Sequence, residues 1–174
     1  RDFEILPAGG LEERTRAMLK VQDGCVNFCT YCIIPYVRGG IRSRQPEDIA
    51  QEARRLAMAG FSELVLTGIH LSSYGKDLGD GSTLLDAIRA VHDAPGVKRV
   101  RLGSLEPVTV TEEFAKSLSE MPGIMRQFHL SMQSGCDTVL SRMKRKYNTD
   151  RYYESVELLR EFFPGCAVTT DMIV

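Results

Sequence analysis

The chain contains no run of roughly 18 apolar residues, so nothing in it matches a membrane-spanning helix. Its opening residues, Arg1-Asp2-Phe3-Glu4, lack the basic and apolar regions of a secretory leader. An excess of charge of one sign is missing too. The 22 Lys and Arg residues meet 23 Asp and Glu, for a net charge of −1, which excludes a globally basic nucleic-acid-binding domain and confines any polyanion contact to local clusters. Two clusters qualify: Arg38, Arg42 and Arg44, and Arg142, Lys144, Arg145 and Lys146. Five cysteines, an odd number, fit poorly with a disulfide framework and point to a reducing compartment, the cytoplasm by default. Internal repeats and low-complexity stretches are absent. With 174 residues, 43% of them hydrophobic, the chain has the size and core of one ordinary domain.

The cysteines carry the strongest chemical signal. Cys25, Cys29 and Cys32 supply three thiols from eight residues. Closed structural zinc sites and the common iron–sulfur clusters take four protein ligands, so three from one loop suggest a metal centre with one position left for another molecule. Three readings stand. A four-iron cluster would leave its fourth iron open; a zinc site would be completed by a histidine, with His70 the nearest candidate by topology; or the thiols are inert. Only Cys29 and Cys32 have the C-x2-C spacing of a zinc knuckle. Cys136 and Cys166 lie away from the loop and read as packed or incidental thiols.

Around the loop, strand and helix patterns alternate. Strands are expected at 17–22, 63–67, 98–103, 127–132 and 167–174, helices at 46–59, 83–94, 111–120 and 150–162, and a short extra helix at 137–143. Pro46 suits a first helical turn, Glu47 and Asp48 complement its dipole, Gly60 can close its far end, and Ser82 can cap the second helix. Residues 1–14, with Pro7 and Gly9-Gly10, read as a linker entering a domain that spans 15–174. Such alternation implies right-handed crossovers and a parallel sheet, an α/β fold.

Strand parity adds a functional hint. One set of alternate positions is apolar: Leu19, Val21, Leu64, Leu66, Val100, Leu102, Phe128, Leu130, Met132, Val168 and Met172. The opposite set holds Lys20, Gln22, Thr67, Arg101, His129, Ser131, Thr169 and Asp171, although parallel strands buried on both faces normally read as continuous apolar runs. A sheet curved into a partial barrel around a polar chamber accounts for this. These groups then need water, one another or a polar ligand, because each amide or hydroxyl buried unpaired costs on the order of 2 kcal/mol or more. The cysteine loop, Gly68-Ile69-His70, Ser104-Leu105-Glu106-Pro107 and Gln133-Ser134-Gly135 all follow strands, at the carboxyl ends where α/β sheets bind ligands.

The spacing C-x3-C-x2-C, with Tyr31 just before the last cysteine, resembles the radical S-adenosylmethionine (SAM) superfamily. Gln22-Asp23-Gly24-Cys25, the run from Phe28 to Gly39, Arg42-Ser43-Arg44, His129-Leu130-Ser131-Met132-Gln133-Ser134-Gly135 and Met143-Lys144-Arg145-Lys146-Tyr147 are similar to its methylthiotransferase branch. Within that branch the loop from Leu66 to Gly75 is similar to enzymes acting on N6-threonylcarbamoyladenosine in tRNA.

This resemblance implies a partial (β/α) barrel of the radical SAM type, truncated after about five strands. It implies a [4Fe-4S] cluster on Cys25, Cys29 and Cys32 that chelates SAM and cleaves it with one electron, leading to methylthiolation at C2 of the adenosine. By family position Tyr31 lies along the adenine and Thr67 and Gly68 face the methionyl amine. Arg145 pairs a carboxylate or phosphate, Ser131 and Gln133 take ribose hydroxyls, and Glu106 and Asp171 are weaker candidates. The implied partners are the anticodon stem-loop of tRNA, approached by Arg38, Arg42 and Arg44, and an electron donor such as flavodoxin or ferredoxin. Related enzymes carry an amino-terminal domain with a second cluster and a small RNA-binding β-domain, so an excised core is expected not to complete the reaction alone. Alternatives are a methylthiotransferase for isopentenyladenosine or a ribosomal protein, and a non-catalytic zinc-stabilised nucleic-acid-binding module.

Overall fold

Alternation of apolar side chains builds the first strand, β1 (Arg16–Asp23), in which Ala17, Leu19 and Val21 are buried while Arg16 and Met18 face out. A computed structural model of the chain describes residues 15–173; the expected linker at 1–14 and the final residue of the last expected strand lie outside them. After β1 come a one-turn helix α1 (Ile34–Arg38), a two-residue strand β2 (Arg42–Ser43), α2 (Pro46–Met58), β3 (Glu63–Gly68), α3 (Leu84–His92) and β4 (Arg99–Leu102). The chain continues through α4 (Glu112–Ser119), β5 (Gln127–His129), α5 (Asp137–Arg142), α6 (Thr149–Phe162) and β6 (Ala167–Thr169).

β1 pairs in parallel with β3, and β3 with β4; β5 pairs in parallel with β6. Backbone bonds beyond β4 join the two sets: Leu105 donates to the His129 carbonyl at 2.9 Å, and Ser131 donates to that of Leu105 at 3.0 Å. The five parallel strands thus follow one another in chain order and form a curled half-barrel, the expected α/β architecture. β2 departs from it. It runs antiparallel along β1, with Gln22 opposite Ser43 and Asp23 opposite Arg42, so the sheet is mixed.

The helices bury their apolar stripes against the convex side. Ile49, Ala53 and Leu56 of α2, Ala87, Ile88 and Val91 of α3, Phe114 and Leu118 of α4, and Leu159 of α6 recur at three- and four-residue spacing and share one core with the apolar strand positions. Pro46 opens α2 without wasting a donor, and Gly60 closes it in a left-handed conformation. Thr83, and not Ser82, begins α3: its N–H donates to the Asp86 carboxylate at 2.8 Å, as in a capping box, while the Ser82 N–H donates to Asp80. Met172 also departs from expectation, being 54% exposed rather than packed under a helix.

On the concave side the polar residues within the strands satisfy one another. Glu63 accepts from Arg99 and Arg101, both at 2.9 Å; Arg101 donates to Gln127 at 2.8 Å, and Gln127 to Thr169 at 3.2 Å. His129 joins Thr169 and Asp171, at 3.1 and 3.5 Å. This ladder braces the half-barrel floor and leaves the carboxyl ends of the strands for a ligand.

Among the described residues no helix is long and apolar enough to cross a membrane. Gly24, at the end of β1, shows how tightly the next loop is folded: a Cβ there would stand 1.8 Å from the Gly40 carbonyl oxygen, at φ +72°. Gly79 has nearly the same φ, +74°, with open space around it. Gly79→Ala should therefore cost only the left-handed penalty, about 1–2 kcal/mol, and Gly24→Ala markedly more. Thermal denaturation of the two variants checks this, and equal reductions of Tm would contradict it.

Candidate functional site

The loop between β1 and α1 carries the three cysteines, and buried polar groups fix its path. Asp23 accepts the Gly24 N–H at 2.8 Å and pairs with Lys20 at 2.7 Å and Arg42 at 3.3 Å, with Arg38 at 3.8 Å. Gln22 is fully buried; its amide donates to the carbonyls of Asp23 and Gly24, both at 2.8 Å, and accepts the His70 N–H at 2.7 Å. One side chain thereby ties the cysteine loop to the loop after β3. The Cys25 N–H donates to Gly39 at 3.1 Å, and the Cys32 N–H to Cys29 at 3.0 Å, folding three thiols toward one side.

All three open on a cavity of about 170 Å³ at the carboxyl ends of the strands. Its other walls come from Ile69 and His70 after β3, Ser104 to Glu106 after β4, and Ser131 and Gln133 after β5. Arg145 completes it from the turn after α5.

A buried charge network crosses this cavity. Glu106 accepts from Arg145 Nη2 at 2.7 Å, from Asn27 Nδ2 at 3.2 Å and from His70 Nε2 at 3.0 Å. His70 Nδ1 meets the Ser73 hydroxyl, so neither ring nitrogen is free. Burial alone would push the Glu106 carboxyl up; the His70 hydrogen bond and the charges of His70, Arg145 and Lys76 outweigh it and hold the carboxyl below the usual range. Arg145 also donates from Nη1 to Cys29 Sγ at 3.2 Å and to the Tyr31 hydroxyl at 3.4 Å, and from Nε to Tyr147 Oη at 3.0 Å. Burial works against its charge, but Glu106 above all keeps Arg145 more firmly protonated than an ordinary arginine. Tyr147, which donates to the carbonyls of Ser131 and Met132, is pushed up to about 12 by burial, despite Arg145.

Backbone geometry is unusual at this site. Among the described residues, the three non-glycine residues with positive φ are Phe28, between Cys25 and Cys29, Gln133 on the cavity wall, and Lys144, next to Arg145. Such residues cost on the order of 1 kcal/mol or more each and gather where function demands it. At Lys144 the cause is visible. The N–H groups of Lys144 and Arg145 close α5 on the carbonyls of Ser141 and Leu140, at 3.0 and 2.9 Å, a Schellman turn that points Arg145 back at the cysteines.

The structure brings together Cys25, Cys29, Cys32, Tyr31, Ser131, Gln133, Arg145 and Glu106. Thr67 and Gly68 do not line the cavity; the next two residues, Ile69 and His70, do, and Gly68 instead lies against Gln22. Asp171 is exposed beside His129. Arg44 is 7% exposed, its Nε buried without a hydrogen-bond partner, so it is no surface contact for an RNA backbone, contrary to expectation. Sequence reasoning passed over Asn27 and Ser73. Asn27 had a signal in its place between two cysteines; Ser73 had none, because its partner is set by the turn after β3.

The donor set suits a multi-metal group. Burial pushes the Cys25 thiol up against the pull of the Asn27 N–H, and Cys29, Glu106 and Cys32 push it further, so a thiolate at Cys25 calls for positive charge beside it. Among the described residues no three His, Cys, Asp or Glu side chains are gathered as ligands of a single ion. Three thiols opening on one cavity suit a cluster that places one iron on each thiolate.

Comparison with known proteins decides the family. The profile described as the radical SAM superfamily matches residues 19–174. The chain belongs to the radical SAM superfamily. It is 42% identical to the threonylcarbamoyladenosine tRNA methylthiotransferase MtaB of Bacillus subtilis, across 100% of this chain and 39% of that protein. It is also 39% identical to the tRNA-2-methylthio-N(6)-dimethylallyladenosine synthase of Acetivibrio thermocellus, across 94% of this chain and 34% of that one. The chain thus spans little more than a third of the curated relatives it matches. Among solved structures, the cobalamin-dependent SAM radical enzyme OxsB superposes with a TM-score of 0.70 at 15% identity, over 90% of this chain and 23% of OxsB. The radical SAM methyltransferase TsrM of Kitasatospora setae superposes at 0.69 and 21% identity, over 89% and 30% of the two chains. These two show the shared half-barrel.

In this radical SAM half-barrel, Glu106→Gln should leave Arg145 as a buried cation without its counter-charge, a destabilisation of about 3–5 kcal/mol at neutral pH. Because the folded pKa of Glu106 is depressed, its contribution is complete above the ordinary glutamate value, about 4.3, and disappears as pH falls through the lower folded value. Thermal denaturation across this acid range should show a shallower pH dependence for the variant. Parallel curves would contradict the assignment.

Proposed function

We propose that this chain is the cluster- and SAM-binding core of a tRNA methylthiotransferase, an enzyme of the cytoplasm, with N6-threonylcarbamoyladenosine beside the anticodon as its substrate. The observation that carries this reading is the meeting of three loop thiols with the Arg145–Glu106 pair in one cavity. Identity of 42% to relatives named for that nucleoside in both Bacillus subtilis and Thermotoga maritima supports the substrate.

Cys25, Cys29 and Cys32 would hold a [4Fe-4S] cluster, which when bound supplies an open iron and one electron for SAM cleavage. The chain's own groups prepare the site. Arg145 donates to Cys29 Sγ at 3.2 Å, and Asn27 donates its backbone N–H to Cys25 Sγ at 3.5 Å. Tyr31 offers a ring face beside the cysteines for the adenine, while Ser131 and Gln133 offer polar groups to ribose hydroxyls. The methionyl carboxylate would meet Arg145, and Thr67 and Gly68 shape the turn that brings Ile69 and His70 to the wall. Electrons would come from a flavodoxin or ferredoxin.

The test is nucleoside analysis of tRNA from cells lacking their own methylthiotransferases and producing the complete natural protein. The 2-methylthio derivative of threonylcarbamoyladenosine should accumulate with the native protein and vanish when Cys25, Cys29 and Cys32 are changed to alanine. Methylthiolation of dimethylallyladenosine instead would move the chain to the other branch, and no methylthiolated nucleoside would sink the reading.

A further inference from the structure

Two basic clusters stand out in the sequence, and the structure treats them differently. Arg38 and Arg42 lean on Asp23, and Arg44 is buried. In the turn that follows α5, by contrast, Arg142, Lys144 and Lys146 are exposed, and among the described residues none has a side-chain hydrogen bond or ion pair. The turn's backbone is held nonetheless. It is closed by the two Schellman bonds and fastened to the cysteine loop, where Thr30 donates to the Met143 carbonyl at 3.3 Å. A second cavity, of about 560 Å³, opens beside it with Lys146, Asn148 and Ser141 on its wall. Asp137 also faces this cavity, but its carboxylate accepts the Thr149 N–H at 2.8 Å.

Lys144 is the telling residue. It occupies the C′ position of the turn at φ 57°, where glycine is the residue without strain and lysine is strained. The left-handed backbone serves Arg145, but that service needs no side chain at 144. Cations at the end of α5 complement its dipole, but that small effect is met by Arg142 and does not call for a lysine at the strained position.

We infer that the turn at 142–146 is a phosphate-binding contact for the RNA substrate, holding its backbone beside the mouth of the cysteine cavity through Lys144 and Lys146. The inference rests on the proposal that the substrate is tRNA. Lysines suit this task, because a flexible point charge neutralises a phosphate without reading a base. Position follows from the fastening of the turn to the cysteine loop: RNA gripped here is registered against the cavity that holds the thiols and Arg145. The long axis of free charge, three cations over five residues, matches a polyanion rather than a single small anion.

The experiment measures binding of an unmodified tRNA transcript to the complete natural protein across a salt series, with Lys144→Gly, Lys144→Arg and the double variant Lys144→Gly/Lys146→Ala. Removal of one lysine–phosphate pairing should reduce the slope of log K against log salt by about 0.7–0.9. Lys144→Gly should therefore bind less tightly with a shallower slope while its Tm rises, because the turn is relieved of its strain. The double variant should show roughly twice that reduction in slope, and Lys144→Arg should keep the native slope. Iron content and the response of the reduced protein to SAM should stay unchanged in all three. If Lys144→Gly is stabilised but binds tRNA with the native affinity and slope, the lysine serves nothing at this turn and the inference is overturned. If the native protein itself does not bind tRNA, the substrate reading fails and takes the inference with it.

Discussion

The buried ion pair between Glu106 and Arg145 is the contact on which the rest of the site depends. It spans 2.7 Å between the loop after β4 and the turn after α5, two segments that no strand pairing joins directly. Each partner is nearly excluded from water, which is tolerable only because both are otherwise satisfied, Glu106 by His70 and Asn27, Arg145 by Tyr147 and Cys29. Through Asn27 and Cys29 the pair grips the cysteine loop, and through His70 the loop after β3. Three strand-end loops and the turn after α5 are thereby held about one cavity by a single pair of charges.

Around that pair the chain gives up stability for shape. Positive φ at Phe28, Gln133 and Lys144 places strain on three sides of the cavity, and Gly24 admits a backbone approach that no other residue permits. The helices and the apolar convex face, where Phe128, Leu130 and Leu105 are fully buried, supply the core that tolerates these costs. The concave floor is polar, its groups joined in the ladder from Glu63 to Thr169. Function and bracing therefore divide the same polar face, the ladder within the strands and the cavity among the loops beyond their carboxyl ends.

Much of this was legible in the residues. The period-two strands and the stripes of the helices follow from burial on one face, which local pattern reports directly. Cys25, Cys29 and Cys32 announce themselves by spacing alone. β2 and α1 went unseen because two residues and a single turn around Pro35 leave no period to read. Ile69 and His70 line the wall just beyond Thr67 and Gly68 because a turn, rather than strand direction, decides which residues reach it. Arg44 was misjudged as a surface cation for a related reason: its burial follows from the pairing of β2 along β1. The partners of Glu106 come from loops distant in sequence, and only their convergence in the fold makes a carboxylate after a strand into the hub of a site.

The central claim is that the three thiols hold a cluster with one iron left for SAM. Its most direct test is anaerobic reconstitution with iron and sulfide, followed by electron paramagnetic resonance of the reduced protein with and without SAM. The expected result is a reduced-cluster signal that SAM alters and that is abolished when Cys25, Cys29 and Cys32 are all replaced by alanine. A folded protein that takes up one zinc ion per chain and shows no cluster signal would contradict it.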